Sequence, residues 1–231
     1  MSILGAKVGD IVAKDYRTAH IFTENKIDFC CGGQRTLKSA IERAAANETV
    51  VLAALERLQN EGVQENALAN MTSADLIDYI IEKHHIYTRE KLPLLVEYAQ
   101  KMVKAHGARH TVINEVAACI YELRNDLVHH LDKEEQVLFP GIITLENGLK
   151  ATGCCENIEK PIFAMESEHD VVGNILKNLS NITDNYQAPD YACTTWKVCY
   201  ATLADFEANT HKHVHIENNI LFPKAISLQN N

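Results

Sequence analysis

Two pairs of histidine and glutamate recur in the chain at the same spacing, and both side-chain types bind metal ions. His130 and Glu134 form the first pair, and His213 and Glu217 form the second, 83 residues further on. Each pair is followed at the same distance by Leu-Phe-Pro. Residues i and i+4 lie one turn apart on one face of a helix, so each pair can hold one ion together.

A further histidine precedes each pair by almost the same distance. His85 lies 45 residues before His130, and His169 lies 44 residues before His213. At about 1.5 Å per residue, an antiparallel helical hairpin places the early histidine level with the late pair. His84 is the alternative to His85, but it breaks this spacing. We therefore predict six metal ligands at one level of a helical bundle: His85, His130, Glu134, His169, His213 and Glu217.

The number and type of these ligands indicate which metal they bind. Four imidazoles and two carboxylates are more than the four ligands that one zinc ion prefers. They suit two octahedral ions that share both glutamates. Imidazole and carboxylate without thiolate favour iron, with manganese as the second choice. The sequence thus predicts two iron ions with an oxo or hydroxo bridge, and about one open position on each ion.

Four long segments have apolar residues at three- and four-residue spacing, which predicts four helices. The apolar stripes run through Ile81–Met102, Ile113–Val137, Ile162–Leu179 and Trp196–Ile220. The predicted ligands are polar exceptions on these stripes, and burying such groups costs several kcal/mol unless they are paired or bind a metal. The two arms of the second hairpin differ in length, so their connection must be longer or partly helical.

The order of the segments predicts an all-α fold with two domains. Residues 1–60 form a small N-terminal helical domain around a Cys-Cys-Gly-Gly turn, and residues 61–71 form a polar linker. Residues 72–231 form an up-down-up-down four-helix bundle. Thr72, with Asp75 three residues later, predicts the N-terminal cap of the first bundle helix.

Composition and charge exclude several classes of protein. The 231 residues carry a formal net charge of −9, which argues against nucleic acid as a partner. No apolar run approaches the roughly 20 residues that cross a bilayer, and the first residues lack the order of a secretory signal. Seven cysteines, four of them in adjacent pairs, indicate a reduced, cytoplasmic protein.

Several motifs resemble known families. The paired His-x-x-x-Glu segments with Leu-Phe-Pro resemble the hemerythrin-like cation-binding domain. The segments Ile27–Gly33, Met165–Asp170 and Ala192–Lys197 resemble the RIC (repair of iron centres) family, and the resemblance spans nearly the whole chain. The family's ligands fall on the same six residues. The chain departs from the family in a longer connection between the second and third helices, where Cys154 and Cys155 have no family role.

The resemblance implies a function. It implies a cytosolic di-iron protein, made under nitrosative or oxidative stress, that repairs damaged iron–sulfur clusters by donating iron and that binds nitric oxide at its di-iron centre. The implied partners are damaged iron–sulfur proteins and nitric oxide, while the charge and the short apolar runs described above argue against nucleic acid and a membrane. A homodimer is one option that the sequence leaves open.

Two other functions remain open at the level of sequence. The first is a di-iron enzyme that reduces nitric oxide or peroxide with electrons from a donor. The second is a module that binds or senses oxygen, as true hemerythrins do. Those proteins use five histidines, and the four histidines and added cysteine-bearing domain of this chain weigh against that function.

Three residues outside the ligand set are further candidates for chemistry. The family's cysteine pair falls on Cys30 and Cys31, for which we predict thiol transfer of iron or nitric oxide. Backbone N–H groups of the glycine turn are expected to lower a thiol pKa there; the alternative is that two small residues simply pack at the turn. Glu168, beside His169, is predicted to support a ligand or to handle protons, with a solvated helix residue as the alternative.

Overall fold

The structure, a computed structural model, describes residues 3–60 and 67–230. Helices account for most of these residues. Within these ranges there is no β-strand, and only an isolated antiparallel bridge joins Lys7 to Thr36. The predicted all-α fold is therefore confirmed. No helix in the described part of the chain is long and apolar enough to cross a membrane.

The chain divides into two compact units. The first unit comprises residues 1–77 and 212–231, and the second comprises residues 78–211. The predicted domain boundaries remain a prediction. Residues 61–66 of the predicted linker lie outside the described residues, and Ala67–Asn70 form a single 3₁₀ turn.

The N-terminal part of the first unit contains four short α-helices within the described residues. They are α1 (Val8–Lys14), α2 (Thr18–Glu24), α3 (Leu37–Ala44) and α4 (Glu48–Asn60). Helix α3 begins where the Thr36 hydroxyl accepts the Ser39 N–H at 3.3 Å, and ends where Ala45 turns left-handed with φ 51°. The apolar faces of these helices enclose a core that includes Phe22 and Val214.

The remaining α-helices of the described chain include four long ones, and three pairs of consecutive α-helices are continuous with each other through a π-helical turn. They are α5 (Ser73–Ile80), α6 (Ile86–His106), α7 (Val112–Lys133), α8 (Phe139–Glu146), α9 (Glu159–Ile182), α10 (Thr194–Ile216) and α11 (Phe222–Gln229). The predicted cap of α5 is confirmed, because the Thr72 hydroxyl accepts the Asp75 N–H at 3.0 Å.

The core of the second unit is shared by four helices, which confirms the predicted helical bundle. Leu95 of α6, Ile120 of α7, Leu176 of α9 and Phe206 of α10 are all fully buried in one apolar cluster. Five residues connect α6 to α7. A connection this short makes the two helices antiparallel neighbours, as a hairpin requires.

The connection between α9 and α10 explains the unequal arms of the second hairpin. Residues 183–193 contain no helix, and Asp184, Asn185 and Tyr186 all have left-handed backbone angles. The Tyr186 hydroxyl donates to the carbonyl of Leu176 at 3.3 Å, so the chain folds back along the end of α9 before α10 begins. The connection is longer, as predicted, and it is not helical.

The cysteine doublet of the longer connection has a packing role. Cys155 is buried, and a Cβ atom built on Gly141 would lie 2.7 Å from its sulfur. The thiol also donates to the carbonyl of Val137 at 3.5 Å. Cys155 therefore fills the space beside α8 that a glycine leaves, whereas Cys154 is exposed.

We predict that Glu207→Gln stabilises the protein at pH 8 but not at pH 4.5. Burial raises the pKa of Glu207 to about 7, and a hydrogen bond with Tyr186 opposes this only in part. The folded state therefore keeps a proton that the unfolded chain loses above about pH 4.5, and stability falls as the pH rises through this window. The uncharged glutamine avoids that loss.

The measurement is urea unfolding of the two proteins at equal iron content, at pH 4.5 and pH 8. Asp205→Asn, at an exposed site on the same helix, is the matched control and should change little at either pH. Equal stability of the Glu207 variant and the original protein at pH 8 would contradict the prediction.

Candidate metal centre

The Leu-Phe-Pro motif gives the helix around Glu134 an unusual local form. Residues Glu134–Leu138 form a π-helical turn, in which the Phe139 N–H donates to the carbonyl of Glu134, five residues back. Pro140 has no N–H, and its ring would clash with the carbonyl four residues back in a regular α-helix. A turn widened by one residue relieves this conflict. Such turns are frequent at functional sites.

The second motif has the same form in the first unit. Glu217–Leu221 are π-helical, and the Phe222 N–H donates to the carbonyl of Glu217. The Nε2 atom of His213 lies 3.0 Å from Oε1 of Glu217, and both side chains are buried. The sequence repeat is thus also a repeat of backbone geometry, with a glutamate at the start of each widened turn.

A third π-helical turn, Ile81–His85, distinguishes the two adjacent histidines. Both are buried, but the His84 Nδ1 atom lies 3.2 Å from the side-chain oxygen of Asn209. His85 instead has its Nε2 atom 3.4 Å from Oε2 of Glu134. The structure therefore directs His85, and not His84, to the predicted ligands of the second unit.

The four predicted ligands of the second unit converge on Glu134. Its Oε2 atom faces His85, whereas its Oε1 atom lies 3.2 Å from Nε2 of His130 and 3.9 Å from Nε2 of His169. The Nε2 atoms of His130 and His169 are 3.0 Å apart. Because the two oxygens face different histidines, the carboxylate can bridge two ions.

The two shortest of these distances, 3.0 and 3.2 Å, match those between ligands of one metal ion. Two ligand atoms at right angles, each about 2.1 Å from one ion, are separated by about 3.0 Å. All four side chains are at most 1% exposed. An ionised carboxylate buried to this extent needs a cation to offset its desolvation. The residues present therefore fit a metal centre with nitrogen and oxygen donors.

Two outer carboxylates fix the orientation of the imidazole rings. The Nδ1–H of His85 donates to Glu135 Oε1 at 2.7 Å, and the Nδ1–H of His130 donates to Glu168 Oε2 at 3.0 Å. With the proton held on Nδ1, the lone pair of Nε2 points at Glu134, as a metal requires. The predicted role of Glu168 in proton handling remains a prediction.

The charge of Glu168 is maintained by its partners. Burial raises the pKa of this carboxyl, but hydrogen bonds with Lys133 and His130 outweigh burial and hold the pKa below its ordinary value. The Lys133 ammonium lies 2.5 Å from Oε1. The Arg89 guanidinium donates a hydrogen bond to Oε1 of Glu135 at 3.2 Å.

Sequence reasoning missed Glu135, although a signal was present. Glu135 directly follows Glu134, just as Glu168 directly precedes His169. Each of these acids is adjacent to one predicted ligand in sequence. Each nevertheless accepts a hydrogen bond from a different predicted ligand, on a neighbouring helix: Glu135 from His85, and Glu168 from His130. A carboxylate directly next to a predicted ligand in sequence is therefore the pattern that indicates a residue orienting a metal-binding histidine.

The other histidines near the motifs are placed differently from one another. His129 is exposed, and His211 is half-buried. His215 is completely buried between Tyr16 and Phe29, with ring centroids 6.0 and 5.7 Å away. Burial lowers the pKa of His215 to about 4, so its ring is neutral at physiological pH.

The cysteine pair occupies a turn of the first unit. Cys30 is buried and Cys31 is half-buried, with their sulfur atoms 4.0 Å apart. The expectation of a lowered thiol pKa is wrong for Cys30. The hydrogen bond with Cys31, burial, and the nearby charge of Asp28 all raise the pKa of this thiol.

A surface cleft leads to one side of the centre within the second unit. Its volume is about 570 Å³, and its walls include His130, Glu168 and Lys133. The cleft therefore reaches a predicted ligand and the carboxylate that orients it. Small molecules and protons from solvent can reach the outer face of His130 by this route.

Comparisons with known proteins match both parts of the chain. Residues 4–59 match the ScdA_N family, described as a domain of unknown function, and residues 76–225 match the hemerythrin HHE cation-binding domain. Proteins named iron-sulfur cluster repair protein YtfE, from Yersinia pestis (strain Pestoides F) and Yersinia pseudotuberculosis serotype O:1b (strain IP 31758), are similar to it. Each is 36% identical over 210 residues, which cover 91% of both chains.

The match to a cation-binding domain and the clustered histidines and glutamate of the second unit together indicate a non-haem iron centre. Neither feature alone selects iron. The donor set admits manganese as well, and the family model names only a cation.

We predict that Glu168→Ala lowers the iron affinity about 10- to 100-fold, because an outer carboxylate fixes the tautomer and orientation of its histidine and raises the basicity of the metal-binding nitrogen. Competition with a coloured chelator measures the affinity. Glu168→Gln, which keeps a hydrogen-bond acceptor, should lose less. The exposed Glu159→Ala on the same helix is the control. Equal affinities of all three variants and the original protein would contradict this role.

Proposed function

Since the chain belongs to the RIC (repair of iron centres) family, we propose that it restores iron–sulfur clusters damaged by nitrosative or oxidative stress. The observation that carries this proposal is the presence in one chain of both the cysteine-bearing domain and the cation-binding domain. The relatives that share both are named for iron–sulfur cluster repair, and the similarity extends over nearly the whole chain.

The cofactor we propose is a pair of bridged iron ions. Its ligands are those predicted from the repeat, with His213 and Glu217 added to the four that converge in the second unit. The two oxygens of Glu134, which face different histidines, support a bridging role. Glu217 begins the equivalent π-helical turn and lies beside its own histidine, so the same role is proposed for it.

The protein's own residues would bind and orient this pair and shield it from water. Glu135 and Glu168 orient the His85 and His130 rings through Nδ1 so that Nε2 faces the proposed ions, and burial excludes solvent from the inner face. The Glu168 side chain is about one-third exposed at the cleft, so it can exchange protons with solvent. When bound, the pair would supply redox electrons and open positions at which nitric oxide binds.

The balance of charge favours iron donation. Two ferrous ions bring a charge of +4, and the two proposed bridging carboxylates offset only half of it. Many other di-iron bundles use four carboxylates and two histidines. A centre with fewer anionic ligands holds ferrous iron less strongly, because neutral imidazoles do not offset its charge. We propose that the iron is cargo, given to damaged clusters.

A second candidate function is the reduction of nitric oxide or peroxide. The cleft beside His130 favours it, because the cleft brings solvent protons and small molecules to Glu168 and to the outer face of one proposed ligand. This function requires an electron donor and repeated turnover, whereas iron donation consumes the bound metal once. The two functions are therefore separable by stoichiometry.

The free cysteines and the proposed repair function also bear on the cellular location and the partners. All seven cysteines are free thiols, which supports the proposal of a reducing, cytoplasmic location. Damaged iron–sulfur proteins would be the partners and nitric oxide the small ligand. A homodimer remains one option for its assembly.

We predict that the purified protein holds about two irons per chain and that Glu134→Ala with Glu217→Ala removes them, together with the visible absorption of the bridged pair. The exposed pair Glu115→Ala with Glu122→Ala, on α7, is the matched control and should keep both irons. Circular dichroism checks that the helices persist. Stoichiometric zinc, or iron that survives in the first variant, would overturn the di-iron proposal.

Donation and reduction are then compared in the intact protein. Iron donation predicts that a target enzyme stripped of its cluster is reactivated in proportion to the iron supplied, and that iron leaves the donor. Reduction predicts that nitric oxide is consumed many times per centre when electrons are supplied, with no loss of iron. If the iron-loaded protein neither reactivates the target enzyme nor consumes nitric oxide, both functions are contradicted.

A further inference from the structure

The turn that follows α2 places three potential metal ligands together. Asp28, Cys30 and Cys31, which we call the thiol cluster, offer one oxygen and two sulfurs within 4.8 Å of one another. The Cys30 sulfur lies 3.4 Å from Oδ1 of Asp28 and 4.0 Å from the Cys31 sulfur. All three residues belong to the first unit.

These separations fit the edges of a tetrahedral metal site. With metal–sulfur bonds of about 2.3 Å, two thiolates on one ion are separated by about 3.8 Å. With a metal–oxygen bond of about 2.1 Å, a thiolate and a carboxylate oxygen are about 3.6 Å apart. The observed distances differ from these values by a few tenths of an ångström, which small rotations of the side chains can supply.

The backbone of the turn is held in place without a metal. Oδ1 of Asp28 accepts the Cys30 N–H at 3.1 Å, which fixes the carboxylate against the cysteines. A Cβ atom on Gly32 would lie 2.8 Å from the carbonyl of Asp28, so only glycine permits this close turn. The amide of Asn219 donates to the carbonyl of Cys30 at 3.3 Å.

The thiol cluster is open on one side. Cys30 is buried, Cys31 is half-buried and Asp28 is exposed, so solvent reaches the cluster from the side of the carboxylate. Structural zinc sites are closed by four protein ligands, whereas sites that exchange a ligand keep one position free. Three ligands at the edge of the unit match the second type.

We propose that Asp28, Cys30 and Cys31 bind one thiophilic divalent cation, either ferrous iron or zinc, with its fourth position open to solvent. On binding, two metal–sulfur bonds form and the two thiols release their protons to solvent, and no electron is transferred. Thiolate ligands select such cations over magnesium or calcium. This second site is separate in its ligands from the proposed di-iron centre.

The open position indicates what the site does. A thiolate or carboxylate of another protein can occupy it and then take the ion by ligand exchange, again without oxidation or reduction. The thiol cluster would then be the surface at which a cation passes to or from a partner. This transfer role, unlike the site itself, rests on the proposed function in cluster repair.

The test uses cobalt(II) as a spectroscopic probe on the full chain, with its own iron bound and its thiols reduced, under anaerobic conditions. Thiolate ligands give an intense near-ultraviolet charge-transfer band with cobalt, whereas imidazole and carboxylate do not. We expect the band to appear as one equivalent of cobalt binds. One equivalent of zinc should then displace the cobalt and remove the band. Cys30→Ser with Cys31→Ser should abolish the band and leave the iron content unchanged.

Two variants sharpen the assignment. Asp28→Asn keeps an oxygen that accepts the Cys30 N–H but removes the charge, and it should weaken cobalt binding at least about tenfold, as loss of even an outer carboxylate does. Cys154→Ser, at an exposed thiol outside the cluster, is the matched control and should bind cobalt as the original protein does.

Three outcomes would overturn the proposal: no thiolate band in the original protein, an undiminished band in the double cysteine variant, or unchanged affinity in Asp28→Asn. Circular dichroism of each variant shows whether a lost band reflects unfolding instead. Because the iron content is measured separately, absence of iron in the original protein would contradict the di-iron proposal while the cobalt band still tests the thiol cluster.

Discussion

One buried carboxylate constrains the arrangement of the second unit. Glu134 is fully enclosed, and an ionised carboxylate in that position costs several kcal/mol unless something offsets its charge. Glu135 and Glu168 face the Nδ1 atoms of His85 and His130, so the Nε2 atoms of both rings face Glu134. In the neutral tautomer protonated at Nδ1, these inward nitrogens offer lone pairs. A metal cation is the partner that satisfies both the lone pairs and the carboxylate.

The register of the helices is set by the same residues. Of the three π-helical turns in the described part of the chain, two begin at a motif glutamate and the third ends at His85. One additional residue in a turn rotates all that follows by about 100° around the helix axis. The ligand and the apolar Leu-Phe pair after it can then both face inward. The π-helical turn thus allows the polar ligand and the apolar residues that follow it to lie on the same face of the helix.

The first unit connects the thiol cluster to its own copy of the motif. Asn219 lies two residues after Glu217, within the π-helical turn, and its amide binds the carbonyl of Cys30. The register that positions Glu217 therefore also positions the cysteine turn. The hydrogen bond with Cys31, burial and the charge of Asp28 all raise the pKa of the Cys30 thiol, so its metal chemistry depends on a cation that displaces the proton and not on a preformed thiolate.

The sequence by itself determined the helices, the i,i+4 pairs and the closely spaced turn at Cys30, because apolar periodicity, ligand spacing and glycine are local features of the chain. Only the tertiary structure decided which carboxylate supports which histidine. Glu168 is adjacent to His169 in sequence but binds His130, since side chains on neighbouring helices meet through packing. The thiol pKa divides in the same way: Cys31, whose hydrogen bond contributes most to the raised pKa of Cys30, is adjacent in sequence, but the burial that adds to it comes from the packing of the first unit's core.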